Sequence, residues 1–232
     1  EGPPGWNYVD WVPDPQWHRG VPPDREDGIS GIINWHFALT LTLVARLETW
    51  LGEPEEATRI LRHAQTLAQA IGEAFWDEER GLFADTVLGP SVRDLGQQTY
   101  SEHAQCLALL SGLLDAEKCQ QVAEGLLTTE DLTRTTIYFS HYLFEAYRHI
   151  GNTDVGSATN KLFERLEEWY DLTRMGFKTT RESPEPSRSD CHAWGAHPVY
   201  HSYASILGIR PAEFGFKKIT IRPMLGPLTE IK

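Results

Sequence analysis

The chain has 232 residues and a mass of 26.3 kDa, enough for one large domain or two small ones with a real core. With 41% hydrophobic and 23% charged residues the balance is that of an ordinary globular protein, which excludes a disordered tail or a fibrous repeat. The formal charge of −12 repels phosphate backbones and anionic lipid, so neither nucleic acid nor a membrane surface is the expected partner, whereas a neutral sugar meets no such penalty.

Residues 1–27 form a loop rich in Pro, Gly and Asp that carries Trp6, Trp11 and Trp17. A loop of that length is either functional or disordered, and its Trp content argues against disorder. The first residues contain no Met and no signal peptide and read as the middle of a longer chain. From Gly28 to Leu51 dense apolar residues at helical spacing (Ile29, Ile32, Ile33, Phe37, Leu41, Val44, Leu47, Leu51) predict a mostly buried helix that Gly52 stops. Pro54 then opens a second helix, with Glu55 and Glu56 favouring its N-terminal dipole. Ala57, Ile60, Leu61, Ala64, Leu67, Ala68, Ile71 and Phe75 give this helix the clearest amphipathic pattern in the chain. The two make an antiparallel hairpin.

Trp76 to Gly96 is irregular and acidic, with turns at Arg80-Gly81 and Gly89-Pro90. Its Asp77-Glu78-Glu79 run lacks the alternation and the Gly of an EF-hand. A second hairpin follows: Ser101 caps a helix through Leu113, and a second arm spans Glu117 to Leu127. A third has arms near Ile137–His149 and Val155–Tyr170, the latter with an inner stripe of Leu162, Leu166, Trp169 and Tyr170. Residues 171–191 form a long polar loop, and a last helix runs from about His197 to Leu207. Beyond Pro211, Phe216, Ile219 and Ile221 alternate with Lys and Arg as a β-strand with no evident local partner. No stretch reaches the roughly 18 apolar residues of a membrane-spanning helix.

About seven helices in hairpins predict an all-α fold, part of a six-hairpin (α/α)6 toroid, over residues 1–210. The strand in 211–232 is the expected entry into a β domain. An open arc of helices leaves apolar faces exposed, so the expected partners are further residues of the same protein or a second copy. Cys106, Cys119 and Cys191 are too widely spaced for a zinc knuckle or a disulfide scaffold; buried, reduced thiols favour a cytoplasmic location.

The segment from Arg174 to Pro198 concentrates Glu, Asp, His and Trp in a loop leading into a helix. Glycosidases need carboxylates, aromatic faces and hydroxyl-binding groups of this kind. Cys191, His192 and His197 lack the tight ligand repeat usual in zinc sites, and Cys191 and His192 are sequence neighbours, which seldom face each other as a nucleophile pair, so neither a metal nor a cofactor is expected. His201, one turn beyond His197, reads as structural.

The run Thr179-Thr180-x-Glu182, followed by Ser187-Arg-Ser-Asp-Cys-His-Ala-Trp-Gly-Ala-His-Pro198, resembles the C-terminal catalytic motif of the α-L-rhamnosidases of glycoside hydrolase family 78. Trp6-Asn-Tyr-Val-Asp-Trp11 resembles the family's aromatic-x-Asp-Trp segment, and Gly215 to Leu228 its passage from barrel to β-sandwich. The resemblance implies an (α/α)6 barrel, a rhamnose-containing oligosaccharide or glycoside as substrate, and hydrolysis with inversion. It makes Glu182 the general base, with Glu185 as the competing carboxylate. Asp10, Trp11, His192 and Trp194 become substrate-binding residues. It sets the general acid on a segment ahead of residue 1; Asp24-Arg25-Glu26-Asp27-Gly28 is only superficially similar to that motif. A noncatalytic carbohydrate-binding fragment and another six-hairpin enzyme, such as an uronyl hydrolase, stay open as alternatives.

Overall fold

The computed structural model describes residues 6–23, 29–87 and 98–230. The Asp24–Gly28 segment and the Gly89-Pro90 turn lie outside them. The chain divides into two compact units, Glu1–Thr135 and Thr136–Lys232.

The first unit is built on two helical hairpins. Helix α1 (Gly31–Leu51) starts where the Ser30 hydroxyl accepts the Ile33 N–H at 3.2 Å, and ends at Gly52, whose φ of +87° closes it in a left-handed cap. Helix α2 (Pro54–Phe75) begins with Pro at its first position, where the missing N–H is not needed. These two helices pack against each other, and α1 also packs on α3 (Glu102–Ser111), which Ser101 caps through the Ala104 N–H. Helix α4 (Ala116–Thr128) completes the second hairpin, with Asp115 accepting the Lys118 N–H at 2.8 Å. Short ribbons flank the hairpins. Strand β1 (Ile29–Ser30) pairs antiparallel with β4 (Thr86–Val87), and β2 (Trp76–Asp77) pairs with β3 (Leu82–Phe83).

The core of this unit gathers Ile32, Trp35, Ala64, Ile71, Phe75, Phe83 and Leu107, with the Trp35 and Phe83 rings edge to face at 4.9 Å. Helix α1 is less buried than its apolar pattern suggests. Ile32, Trp35, Ala38, Leu39 and Ala45 are inside, but Phe37, Leu47 and Leu51 are exposed. Its apolar face is wider than the surface that α2 and α3 cover.

The second unit holds α5 (Ser140–Ile150) and α6 (Val155–Arg174), packed as a hairpin. Leu143, Phe144, Tyr147, Leu162 and Leu166 are buried there, whereas Tyr170, expected on the inner stripe, is exposed. Helix α7 (His197–His201) continues as a wider π-turn through Ile206. The final strand is not an orphan. Strand β5 (Ile209–Pro211) pairs antiparallel with β6 (Ile219–Ile221), Ile209 opposite Ile221 and Pro211 opposite Ile219. Met224, just beyond, is buried. Of the three cysteines, all free, only Cys106 is buried, and Cys191 is exposed, against the expectation of buried thiols. Among the described residues no helix is long and apolar enough to cross a membrane.

Candidate functional site

The loop that follows α6 is stitched back onto itself. The Glu182 N–H donates to the Ser189 carbonyl at 2.8 Å and the His192 N–H to the Thr180 carbonyl at 2.7 Å. The two threonines of the motif add side-chain stitches: the Thr180 hydroxyl donates to the His192 carbonyl at 2.9 Å, and the Thr179 hydroxyl to the Asp190 carbonyl. Gly195 is needed where the chain turns into α7, because a Cβ there would lie 2.8 Å from the Arg181 carbonyl. The Trp169 indole donates to the Gly195 carbonyl at 2.7 Å and ties this corner to α6.

These stitches put three sequence-predicted residues together. Glu182 is 1% exposed. The Arg188 guanidinium grips its carboxylate with two nitrogens, Nε at 3.1 Å from Oε2 and Nη2 on Oε1. His192 Nδ1 stands 4.0 Å from Oε2. The Trp194 indole donates to the Glu182 main-chain carbonyl at 2.7 Å, packs at a tilt against His192 with ring centroids 4.1 Å apart, and meets Tyr138 at 5.1 Å. The result is a fixed, buried carboxylate with an imidazole and two aromatic rings around it. Such a group can hold a water or a sugar hydroxyl. Glu185, the competing carboxylate, is half exposed. It pairs with Arg181 at 3.1 Å and accepts the Ser187 N–H at 3.0 Å, so it is engaged in shaping the loop.

Asp10 and Trp11 lie in the first unit. Asp10 is fully buried. Its Oδ2 meets His103 Nε2 at 2.9 Å and its Oδ1 accepts the Trp11 N–H at 3.0 Å. Around it, Val9 and Asp10 donate main-chain N–H groups to the Gly20 carbonyl. Trp11 joins Trp6 and Tyr8 in an aromatic cluster, with ring centroids 5.3 Å from Tyr8 and 6.2 Å from Trp6. Trp6 is exposed and Trp11 half-buried, so the cluster offers rings to solvent while the buried Asp10–His103 pair anchors its backbone.

Sequence reasoning missed His103, Tyr138 and the role of Arg188. Arg188 stood inside the quoted motif, two residues before Asp190, and its sign opposite Glu182 was the available signal. His103 and Tyr138 carried none, since 93 residues separate His103 from Asp10.

No curated protein matches the chain. Among solved structures it is similar to the glycoside hydrolase family 78 rhamnosidase of Bacillus sp. GL1, at 26% identity and a TM-score of 0.76, over 94% of this chain. The chain spans 23% of the length of that protein. It is also similar in fold to a rhamnosidase from Klebsiella oxytoca with rhamnose bound, at 19% identity and a TM-score of 0.59, over 75% of this chain and 34% of the other. The model of the bacterial alpha-L-rhamnosidase six-hairpin glycosidase domain matches residues 1–206. The predicted all-helical six-hairpin character and this match agree, and the chain belongs to the bacterial α-L-rhamnosidase six-hairpin glycosidase domain family.

Proposed function

We propose that the protein containing this chain is an inverting glycoside hydrolase that releases terminal α-L-rhamnose, with Glu182 as the general base. The observation that carries this reading is the buried Glu182 carboxylate, gripped by Arg188 and walled by His192 and Trp194. Inversion requires one carboxylate to take a proton from water as that water attacks the anomeric carbon from the face opposite the leaving group. A second, protonated carboxyl gives its proton to the departing oxygen, and the resemblance assigns it to a segment ahead of residue 1.

Within this reading Arg188 favours the ionised form of Glu182, since an opposite charge at hydrogen-bond distance stabilises the anion. His192 orients a sugar hydroxyl or the attacking water, and Trp194 gives a wall to the ring. In the first unit Trp11 supplies a stacking face, and the buried Asp10 fixes the segment that carries it. Residues 211–232 lead into a β domain.

The test is turnover of an aryl α-L-rhamnoside by the full-length protein and its Glu182→Gln variant, beside a panel of other aryl glycosides. The expected result is hydrolysis of the rhamnoside alone, with the β anomer of rhamnose released first, and a loss of about 10²–10⁴-fold in the variant with sugar binding retained. Near-normal turnover in the variant would transfer the role to Glu185. Activity on a different glycoside alone would overturn the substrate.

A further inference from the structure

In the second unit three histidines converge. One ring nitrogen from each of His141, His197 and His201 lies within 4.8 Å of the others. His141 comes from α5, and His197 and His201 are one turn apart on α7, the i, i+4 spacing that turns two imidazoles to the same side of a helix. His141 Nδ1 and His201 Nε2 are 3.1 Å apart. With zinc–nitrogen bonds of about 2.0–2.1 Å at tetrahedral angles, two imidazole ligands stand roughly 3.3 Å apart. This pair is therefore already at ligand spacing, and His197 needs only a modest approach.

The far side of each α7 ring is arranged as it is around metal-bound histidines, where the second ring nitrogen donates to an oxygen and leaves the first with a free lone pair. His197 Nε2 sits 2.8 Å from the Ile137 carbonyl, an oxygen that can only accept, so Nε2 carries the proton. That leaves Nδ1 as the lone-pair nitrogen, and it is buried with no hydrogen-bond partner among the described residues. His201 Nδ1 is 3.0 Å from the buried Ser205 hydroxyl and 3.9 Å from a Glu145 oxygen. Its Nε2 is the nitrogen turned to His141. Burial disfavours the charged form of all three rings. Glu145 is not a fourth ligand, since Arg210 takes both of its oxygens at 2.7 Å.

We propose that His141, His197 and His201 form a binding site for a divalent transition metal of the zinc class. Three imidazoles suit zinc, cobalt, nickel or copper and not calcium or magnesium, which take oxygen ligands. His141 and His197 are partly exposed, and His201 is fully buried. The metal would clamp α5 to α7, the helix into which the Glu182 loop runs. The sequence spacing predicts no metal and a structural His201; the third histidine lies 60 residues upstream of His201. The site is independent of the rhamnosidase reading, and of Cys191, His192 and His197 it uses His197 alone.

The test uses untagged full-length protein stripped with a chelator, then titrated with Co²⁺ and followed by visible absorption, with Zn²⁺ as competitor. The expected result is a single equivalent giving an intense band of low-coordinate cobalt that Zn²⁺ displaces, and a melting temperature that Zn²⁺ raises. His141→Gln and His197→Gln, both at partly exposed positions, should each lose the band and the shift while keeping the native circular dichroism. His201→Gln should do the same, but as a buried residue its outcome counts only if the variant folds. No stoichiometric band in the parent protein, or an unchanged one in His141→Gln and His197→Gln, would overturn the site.

Discussion

The indole nitrogen of Trp194 donates to the main-chain carbonyl of Glu182 at 2.7 Å. Twelve residues separate them, and this bond, with the Thr180 and His192 stitches, fixes where the carboxylate can point. Trp194 therefore has two separable duties: an aromatic face, packed at a tilt against His192 and Tyr138, and a polar anchor for the residue assigned as base.

Trp194→Phe keeps most of the face and removes the anchor. The Glu182 carbonyl then loses its donor and the base can drift. A displacement of about 1 Å in a catalytic group costs up to roughly 10²-fold in rate. The expected outcome in the full-length enzyme is a kcat lowered about 10–100-fold with KM changed little. A variant raising KM at constant kcat would show that the ring, and not the bond, is what the site uses.

Arg188 is expected to act through Glu182. Arg188→Met preserves the apolar stem and removes the two-pronged grip on the carboxylate, so kcat should fall roughly 10-fold or more, since charge-assisted bidentate pairs both orient and favour the anion. Arg188→Lys restores charge without the fork and should recover only part of the loss. Steady-state kinetics of the three proteins decide it. A Met variant as fast as the parent or faster would make the pair a resting-state lock that substrate must displace.

Hairpin structure was legible because it is written locally. Ser30, Ser101 and Asp115 cap helices with their own side chains, Gly52 and Gly112 close them, and the α2 apolar stripe recurs at the helical period. What was illegible is non-local. Gln105 sits in the middle of α3 with both ends of its amide spent on Phe83, accepting its N–H at 2.9 Å and donating to its carbonyl at 2.7 Å, as a neighbouring strand would. Nothing around Gln105 announces a partner 22 residues earlier. The same holds for Asp10 with His103 and for His141 with His201, while Glu182, His192 and Trp194 were readable as a group because one loop carries them all. The width of the α1 apolar face misled for the opposite reason: periodicity reports which side of a helix is apolar, not how much of it its neighbours cover.

The β5–β6 ribbon offers a test of a strand pairing that the sequence hid. Gly208 precedes β5 with φ of +68°, and a Cβ there would lie 1.8 Å from the Arg222 carbonyl oxygen. The same crossing carries the Arg222 N–H to Gly208 carbonyl bond at 3.0 Å and the Met224 N–H to Ile206 carbonyl bond at 2.9 Å. Gly208→Ala therefore meets both backbone strain and a clash with main chain that cannot move aside. The expected cost is about 2 kcal/mol or more in the second unit. Hydrogen exchange should show the ribbon amides and the segment around buried Met224 losing protection while α5 keeps its own. Unchanged protection in the ribbon would mean that the crossing is looser than its distances imply.

Asp85 predicts a pH dependence of the opposite sign to the common carboxylate case. It is fully buried, and desolvation pushes its carboxyl up to about 6, against the opposing pulls of the Ser101 hydroxyl at 2.6 Å and of His103. The charged and titratable groups around it are His103, itself paired with Asp10, and Tyr100, whose hydroxyl is hydrogen-bonded to Asp77. The folded first unit keeps the Asp85 proton up to about pH 6, whereas the unfolded chain releases it near the ordinary carboxylate value. Between those two pH values the folded state binds more protons than the unfolded one, so stability falls as pH rises, and it levels off above about pH 6. The contribution lost is at most about 3 kcal/mol, from roughly two pKa units at 1.36 kcal/mol each. Asp85→Asn cannot ionise, and its amide oxygen can still accept from Ser101. Urea unfolding of parent and variant between about pH 4 and pH 7 should show the variant gaining on the parent as pH rises, with the difference constant beyond pH 6. Parallel curves for the two proteins across that range would mean that Asp85 titrates alike in the folded and unfolded chain, and that its burial is relieved by charge or water at the carboxylate.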